Sequence, residues 1–179
     1  MEKTLQHRKR NRLQYFDYST TGYYFVTICP MQMKKWFGKI YNAEVKLNDF
    51  GKIVENCWLQ LPKHYSNCEL DYHVIMPDHF HGIISIKESD IICSDESETH
   101  HCVNTKEKSH GLSEIVRAFK SFSSRRTNEL ITNENKFRWQ YSFYDRIVRN
   151  EKELFEIRKY IQENPEKWEF ENTPENLVI

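Results

Sequence analysis

Glycine and proline are scarce, five of each in 179 residues. No apolar run approaches the roughly 18 residues of a membrane-spanning helix. With so few glycines the chain holds no G-x-x-x-x-G-K-[ST] phosphate loop, which excludes nucleotide-driven chemistry of that type. After Met1-Glu2-Lys3 the N-terminus turns basic and polar at once and lacks the apolar stretch of a signal peptide. Five cysteines (Cys29, Cys57, Cys68, Cys93 and Cys102) show no paired spacing, and an odd count argues against a full disulfide framework. These absences lead to the expectation of a soluble, cytoplasmic protein with no membrane partner.

Net charge is also lacking, because 26 basic residues balance 26 acidic ones. The distribution says more than the sum. Glu88, Asp90, Asp95, Glu96, Glu98 and Glu107 gather in the stretch from Lys87 to His110, and setting it aside leaves a modest basic excess. That excess is concentrated in two places. Lys3, Arg8, Lys9, Arg10 and Arg12 crowd the N-terminus, and Arg117, Lys120, Arg125, Arg126, Lys136, Arg138, Arg146 and Arg149 follow the acidic segment. By charge alone either group is a solvated face or a nucleic-acid contact.

Pattern along the chain predicts one domain over residues 1–179, with a basic N-terminal extension at 1–20 and a flexible loop at 87–109. Tyr23–Cys29 is aromatic and β-branched and reads as a buried strand ended by Pro30. Trp36–Tyr41 and Ala43–Leu47 read as a hairpin about Asn42. Asn48 or Asp49 caps a helix running to about Leu61, where Pro62 is expected to end it. Leu70–Met76 and His79–Ile86 are strands joined across Pro77-Asp78. A helix opens at Ser113, Trp139–Val148 is strand-like, and Glu151–Glu163 is the last helix. Asn164-Pro165 is expected to stop that helix, because a residue before proline avoids the α region. This order predicts an α+β domain, a mainly antiparallel sheet with helices on one face.

Two pieces carry chemistry. Residues two apart on a strand point to the same side, so His79 and His81 present both imidazoles on one face while Phe80 turns into the core. Gly82 lets a bulky neighbour approach the backbone. Tyr160 and Asn164 share a helical face one turn apart. Taken alone, the histidines are either metal ligands or hydrogen-bonded surface groups. Likewise Tyr160 is either a functional phenol or edge packing, and Asn164 either a ligand or a C-terminal cap.

The segments MPDHFHGII, YFDYSTTGYYFVTIC, WQYSFYDRIVRNEKEL and IRKYIQENPEKW together resemble the REP-associated tyrosine transposases, relatives of the single-tyrosine HUH transposases. The resemblance runs from about Arg8 to Trp168 in the same order, interrupted by the 87–109 loop. It implies a ferredoxin- or RRM-like HUH fold, with His79, His81 and Asn164 as metal ligands and Tyr160 as nucleophile. The implied cofactor is a divalent metal, Mg²⁺ or Mn²⁺, with imidazole ligands favouring Mn²⁺ somewhat. The implied reaction cleaves and rejoins DNA through a 5′-phosphotyrosine, and the implied partner is single-stranded or hairpin DNA from a palindromic repeat. Monomer and homodimer both stay open, since the mobile-element relatives exchange tyrosine helices in dimers. The near-neutral charge and the acidic loop depart from the family.

Arg8, Lys9, Arg10 and Arg12 beside Tyr15 combine charge with stacking surface, as unpaired bases favour. Arg117, Lys120, Arg125 and Arg126 are candidates for following a hairpin stem. Tyr141 and Tyr144 are rival nucleophiles, but they sit on an expected strand with no ligand-type residue a helical turn away. Cys93, His100, His101, Cys102 and His110 match no standard zinc spacing. Two further readings compete: a DNA-hairpin-binding module without activity on the same fold, and a metal-dependent hydrolase using water. The second lacks the third histidine of a His-φ-His-φ-His run, since Ile83 stands there.

Overall fold

The alternation of the central strands sorts the core onto two faces. In this computed structural model the described residues are 13, 15–88 and 110–172. Strand β1 (Gly22–Ile28) lies between β5 (Phe80–Ile86) and β6 (Tyr144–Val148), and β4 (Cys68–Ile75) adds to the other edge of β5. The resulting antiparallel sheet has the order β4-β5-β1-β6. Tyr24, Val26 and Ile28 share one face with Phe80, Ile84 and Ile86, and there they meet α1 (Asp49–Leu59) and α3 (Leu112–Glu129). Phe25 and Ile83 point the other way, onto α4 (Glu151–Asn172) through Leu154, Ile157 and Ile161. The helices α1 and α3 therefore share one face, as expected, and α4 covers the second. Strand β5 is buried along its whole length because it is covered on both sides.

A separate hairpin, β2 (Gly38–Tyr41) and β3 (Glu44–Leu47), turns at Asn42 and Ala43, both at positive φ (53° and 57°). Such a turn matches the right-handed twist of the strands it joins. Asn48 caps α1 by accepting the Gly51 N–H at 3.0 Å. This helix ends at Leu59 rather than Leu61. Pro62 sits in the first turn of a short helix, α2 (Leu61–His64), where its missing N–H does no harm.

Two expected boundaries are corrected. The strand expected from Trp139 forms only over Tyr144–Val148. Trp139 makes a single bridge to Pro30, and its indole N–H donates to the buried Ser123 hydroxyl at 2.9 Å. The last helix does not stop at Asn164-Pro165 but continues to Asn172 with Pro165 inside it. Both residues are buried, and the far end is anchored: the Glu169 carboxylate accepts the N–H groups of Asn42 (3.0 Å) and Ala43 (2.7 Å). Lys35 also lies over the Trp168 ring at 4.7 Å. Tertiary docking thus outweighs the local penalty of an internal proline.

Among the described residues no helix is long and apolar enough to cross a membrane. Most of the basic extension, most of the 87–109 loop and the cysteine–histidine group from Cys93 to Cys102 lie outside the described residues. His110 is described, and its Nδ1 lies 3.1 Å from the Glu114 carboxylate.

Candidate active site

The Pro77-Asp78 turn between β4 and β5 is pinned before it reaches the site. Pro77 accepts the N–H groups of Trp36 (2.8 Å) and Phe37 (3.2 Å), and Met76 donates to the His79 carbonyl at 2.8 Å. Asp78 and His79 therefore leave the turn with fixed directions. His79 Nδ1 sits 2.7 Å from the Asp78 carboxylate, an interaction that holds the Asp78 carboxyl below its ordinary range.

His81 enters on the α4 face of β5, directly across from Thr27 of β1. The Thr27 hydroxyl contacts His81 Nδ1 at 2.8 Å. Phe25, also on β1, stacks on the imidazole with centroids 5.3 Å apart. On the other side of the strand, Gly82 clears room for the core: a β-carbon there would stand 2.5 Å from Trp58. Burial, reinforced by neighbouring His79, pushes His81 down to about 3, so its imidazole is neutral at physiological pH.

Helix α4 brings the phenol. Leu154, Ile157 and Ile161 seat it on the sheet, and Arg158 locks it by a two-pronged contact to Asp71 at 3.0 and 2.5 Å. Asp71 reaches out from an irregularity in β4 between Leu70 and His73. Two residues further along α4, the Tyr160 hydroxyl lies 3.3 Å from His81 Nε2. The His79 and His81 rings are 4.6 Å apart, and those of His81 and Tyr160 are 5.2 Å apart. Tyr160 keeps 41 % of its surface open, whereas Asn164 is 8 % exposed on the following turn.

This donor set fits a divalent cation. Both Nδ1 atoms are engaged, by Asp78 and by Thr27, so metal ligation by this pair would fall to the two Nε2 atoms. Asn164 offers an amide oxygen on the helix that carries Tyr160. Among the described residues no three His, Cys, Asp or Glu side chains cluster to hold a metal, so any ion here would need Asn164 or another residue type as a third ligand.

The expected site residues separate into two groups. His79, His81 and Tyr160 come together, with Asn164 a turn from the phenol. Arg117, Lys120, Arg125 and Arg126 do not join them, since α3 packs on the opposite face of the sheet. Lys120 is not free in any case: its ammonium donates to the carbonyls of Gln140 (2.6 Å) and Tyr141 (2.8 Å), and burial lowers its affinity for a proton. Arg125 lies over the Phe122 ring at 5.0 Å. Tyr15 is exposed, and Arg8, Lys9, Arg10 and Arg12 lie outside the described residues. Thr27, Asp78, Asp71 and Arg158 were not singled out from sequence. Only Asp78 carried a signal, its place beside the histidine pair.

Three comparisons bear on this geometry. Residues 90–164 match the family described as IS200-like transposase, a segment that includes Tyr160 and Asn164 and begins after His81. An uncharacterized protein of Haemophilus influenzae (strain Rd) is 37 % identical over 169 residues, covering 92 % of each chain. The solved structure of a REP-associated tyrosine transposase bound to a REP hairpin superposes with a TM-score of 0.58. It covers 89 % of this chain and 74 % of that one at 17 % identity, a likeness of fold.

Proposed function

We propose that this chain, whose residues 90–164 match the IS200-like transposase family, cleaves and rejoins single-stranded, hairpin-forming DNA with Tyr160 as the nucleophile. The observation that carries the reading is the 3.3 Å approach of the Tyr160 hydroxyl to His81, beside the His79 ring. A phenol from α4 meets one imidazole of β5, with a second imidazole from the turn before that strand beside it, although phenol and imidazoles are distant in sequence.

In this reading the Tyr160 oxygen attacks a backbone phosphorus and the bond to the 3′ oxygen breaks. The phenolic proton leaves to solvent, the phosphate stays on Tyr160 as a 5′-phosphotyrosine, and a 3′-hydroxyl is released. Attack by a 3′-hydroxyl on the phosphotyrosine restores the phenol and the DNA backbone. The phosphodiester bond energy is retained, so rejoining needs no nucleotide. His79, His81 and Asn164 would hold Mg²⁺ or Mn²⁺, which when bound supplies charge stabilisation to the non-bridging phosphate oxygens.

His81 is a poor general base, since its proton affinity is depressed by burial. The same neutrality suits a metal ligand. Because Tyr160 meets His81 of its own chain, one copy holds the phenol and both imidazoles, which supports action as a monomer. The partner in this reading is a palindromic repeat like the hairpin bound by the structural neighbour, and the setting is the cytoplasm. An inactive DNA-binding module explains the fold but not the retained set of His79, His81, Tyr160 and Asn164.

The test is incubation with labelled single-stranded hairpins from flanking repeats, with and without Mn²⁺. A denaturation-resistant protein–DNA adduct is expected for the wild type and absent for Tyr160→Phe. An adduct formed by Tyr160→Phe at the wild-type rate would remove Tyr160 from the role.

A further inference from the structure

One row of the sheet runs from the site to an open edge. Thr27 pairs with His81 on one side and with Tyr144 on the other. Directly opposed residues on neighbouring strands share a face, so His81, Thr27 and Tyr144 form a cross-strand row on the α4 side. Two strand spacings, roughly 10 Å, separate the ends of that row. This is the span of a short stretch of unstacked single strand. Tyr144 closes the row on β6, the edge strand among the described residues, and is 49 % exposed.

The turn leading to Tyr144 is braced. Gln140 donates its N–H to the Cys29 carbonyl at 2.8 Å and its side-chain amide to the Pro30 carbonyl at 3.3 Å. From below, the Lys120 ammonium holds the carbonyls of Gln140 and Tyr141. A half-buried cation spent on two carbonyls is a structural device, and what it supports is a turn presenting exposed aromatic rings. The same segment is cationic: Arg138, Arg146 and Arg149 are exposed on it, while its lone carboxylate, Asp145, is buried. Arg146 lies one step along the α4 face from Tyr144 and also reaches Glu153 of α4 at 2.5 Å.

We propose that Tyr144 is a stacking platform for an unpaired DNA base next to the phosphate that Tyr160 attacks, with Arg146 alongside the backbone. This inference rests on the proposed strand-cleavage reading. It gives Tyr144, a rival nucleophile by residue type, a different role. The ring stands two strands from His81, whereas Tyr160 touches that histidine directly. An exposed ring with an arginine beside it on the same strand face is the kind of arrangement by which proteins hold single strands through π-faces and backbone charge.

The experiment uses the full chain and a DNA hairpin whose single-stranded flank carries 2-aminopurine at successive positions, titrated in the presence of Mn²⁺. Wild type is expected to quench the probe at one flank position. Tyr144→Ala should lose that quench and bind roughly ten-fold more weakly, as expected for the loss of one base–aromatic stack. Tyr144→Phe and Tyr144→Trp, which keep a π-face, should retain both signals and show that the fold survives substitution there. Wild-type binding and quenching by Tyr144→Ala overturn the proposal. So does a Phe variant that behaves like Ala, because the hydroxyl would then carry the role. Adduct formation measured in parallel separates the two ideas. A wild type without adduct but with Tyr144-dependent quenching sinks the chemistry and keeps the stacking, and an adduct with Tyr144-independent quenching does the reverse.

Discussion

The Tyr160 hydroxyl rests 3.3 Å from Nε2 of His81, whose Nδ1 is engaged by the Thr27 hydroxyl. A single imidazole lone pair cannot serve a phenol donor and a cation together. A metal held by His81 as proposed would therefore compete with the phenol–imidazole contact.

That competition has a measurable consequence without DNA. Removing the hydroxyl in Tyr160→Phe should tighten Mn²⁺ binding by about five-fold, the worth of one ordinary hydrogen bond. Isothermal titration calorimetry on the two proteins checks it. Equal or weaker affinity in the variant would mean that the phenol and the ion use different sites.

Asp78 should matter to the metal without touching it. Its carboxylate fixes the His79 ring and keeps Nδ1 engaged, leaving Nε2 outward. Loss of such outer partners typically lowers metal affinity about 10–100-fold, and Asp78→Ala is expected in that range. Thr27→Val tests the equivalent support of His81. If both variants bind Mn²⁺ as tightly as wild type, the ligand assignment is wrong.

The buried histidine makes the metal-free protein sensitive to acid. Unfolded, His81 titrates near 6.5; folded, it is pushed down to about 3, so the unfolded chain takes a proton that the folded one refuses. Stability from this group is complete above pH 6.5 and falls as pH drops toward 3, by up to about 1.4 kcal/mol per pH unit. His73 is shifted in the same direction, chiefly by burial, with Glu55 opposing. Urea midpoints between pH 7 and pH 4.5 should decline, and His81→Asn should flatten the decline.

Helix α4 is held to β4 by Arg158 and Asp71. Asp71→Ala should lower stability by about 1–3 kcal/mol, the usual worth of a charged hydrogen-bonded pair. It should also speed amide exchange in α4 more than in β1. Uniform exchange across the molecule would show that the pair does not position this helix.

Gly82 separates the site strand from Trp58. In Gly82→Ala the new methyl would press on the Trp58 and Phe80 rings, at 2.5 and 2.9 Å. A loss of about 1–3 kcal/mol is expected, typical of overpacking. A thermal melt unchanged from wild type would show that the core relaxes freely there.

Much of this architecture is legible in local pattern. Tyr23–Cys29 and His79–Ile86 alternate or run apolar as buried strands do, and the histidines two apart had to share a face. The misreadings have one source. Pro165 is a strong local stop, yet α4 runs on because Glu169 finds the N–H groups of the β2–β3 turn and Trp168 lies under Lys35. Lys120 looked like a free cation because nothing local reveals that the Gln140 and Tyr141 carbonyls fold back onto it.

By itself the sequence determined the residue types, their periodicity and hence which side chains could share a strand or a helix face: His79 with His81, and Tyr160 with Asn164. Only tertiary structure decided that those two faces meet, that Thr27 and Asp78 support the imidazoles, and that α3's arginines fall on the far side of the sheet. The reason is physical. Facing within an element follows from backbone geometry over a few residues, whereas meetings between elements depend on strand register and core packing across the whole chain.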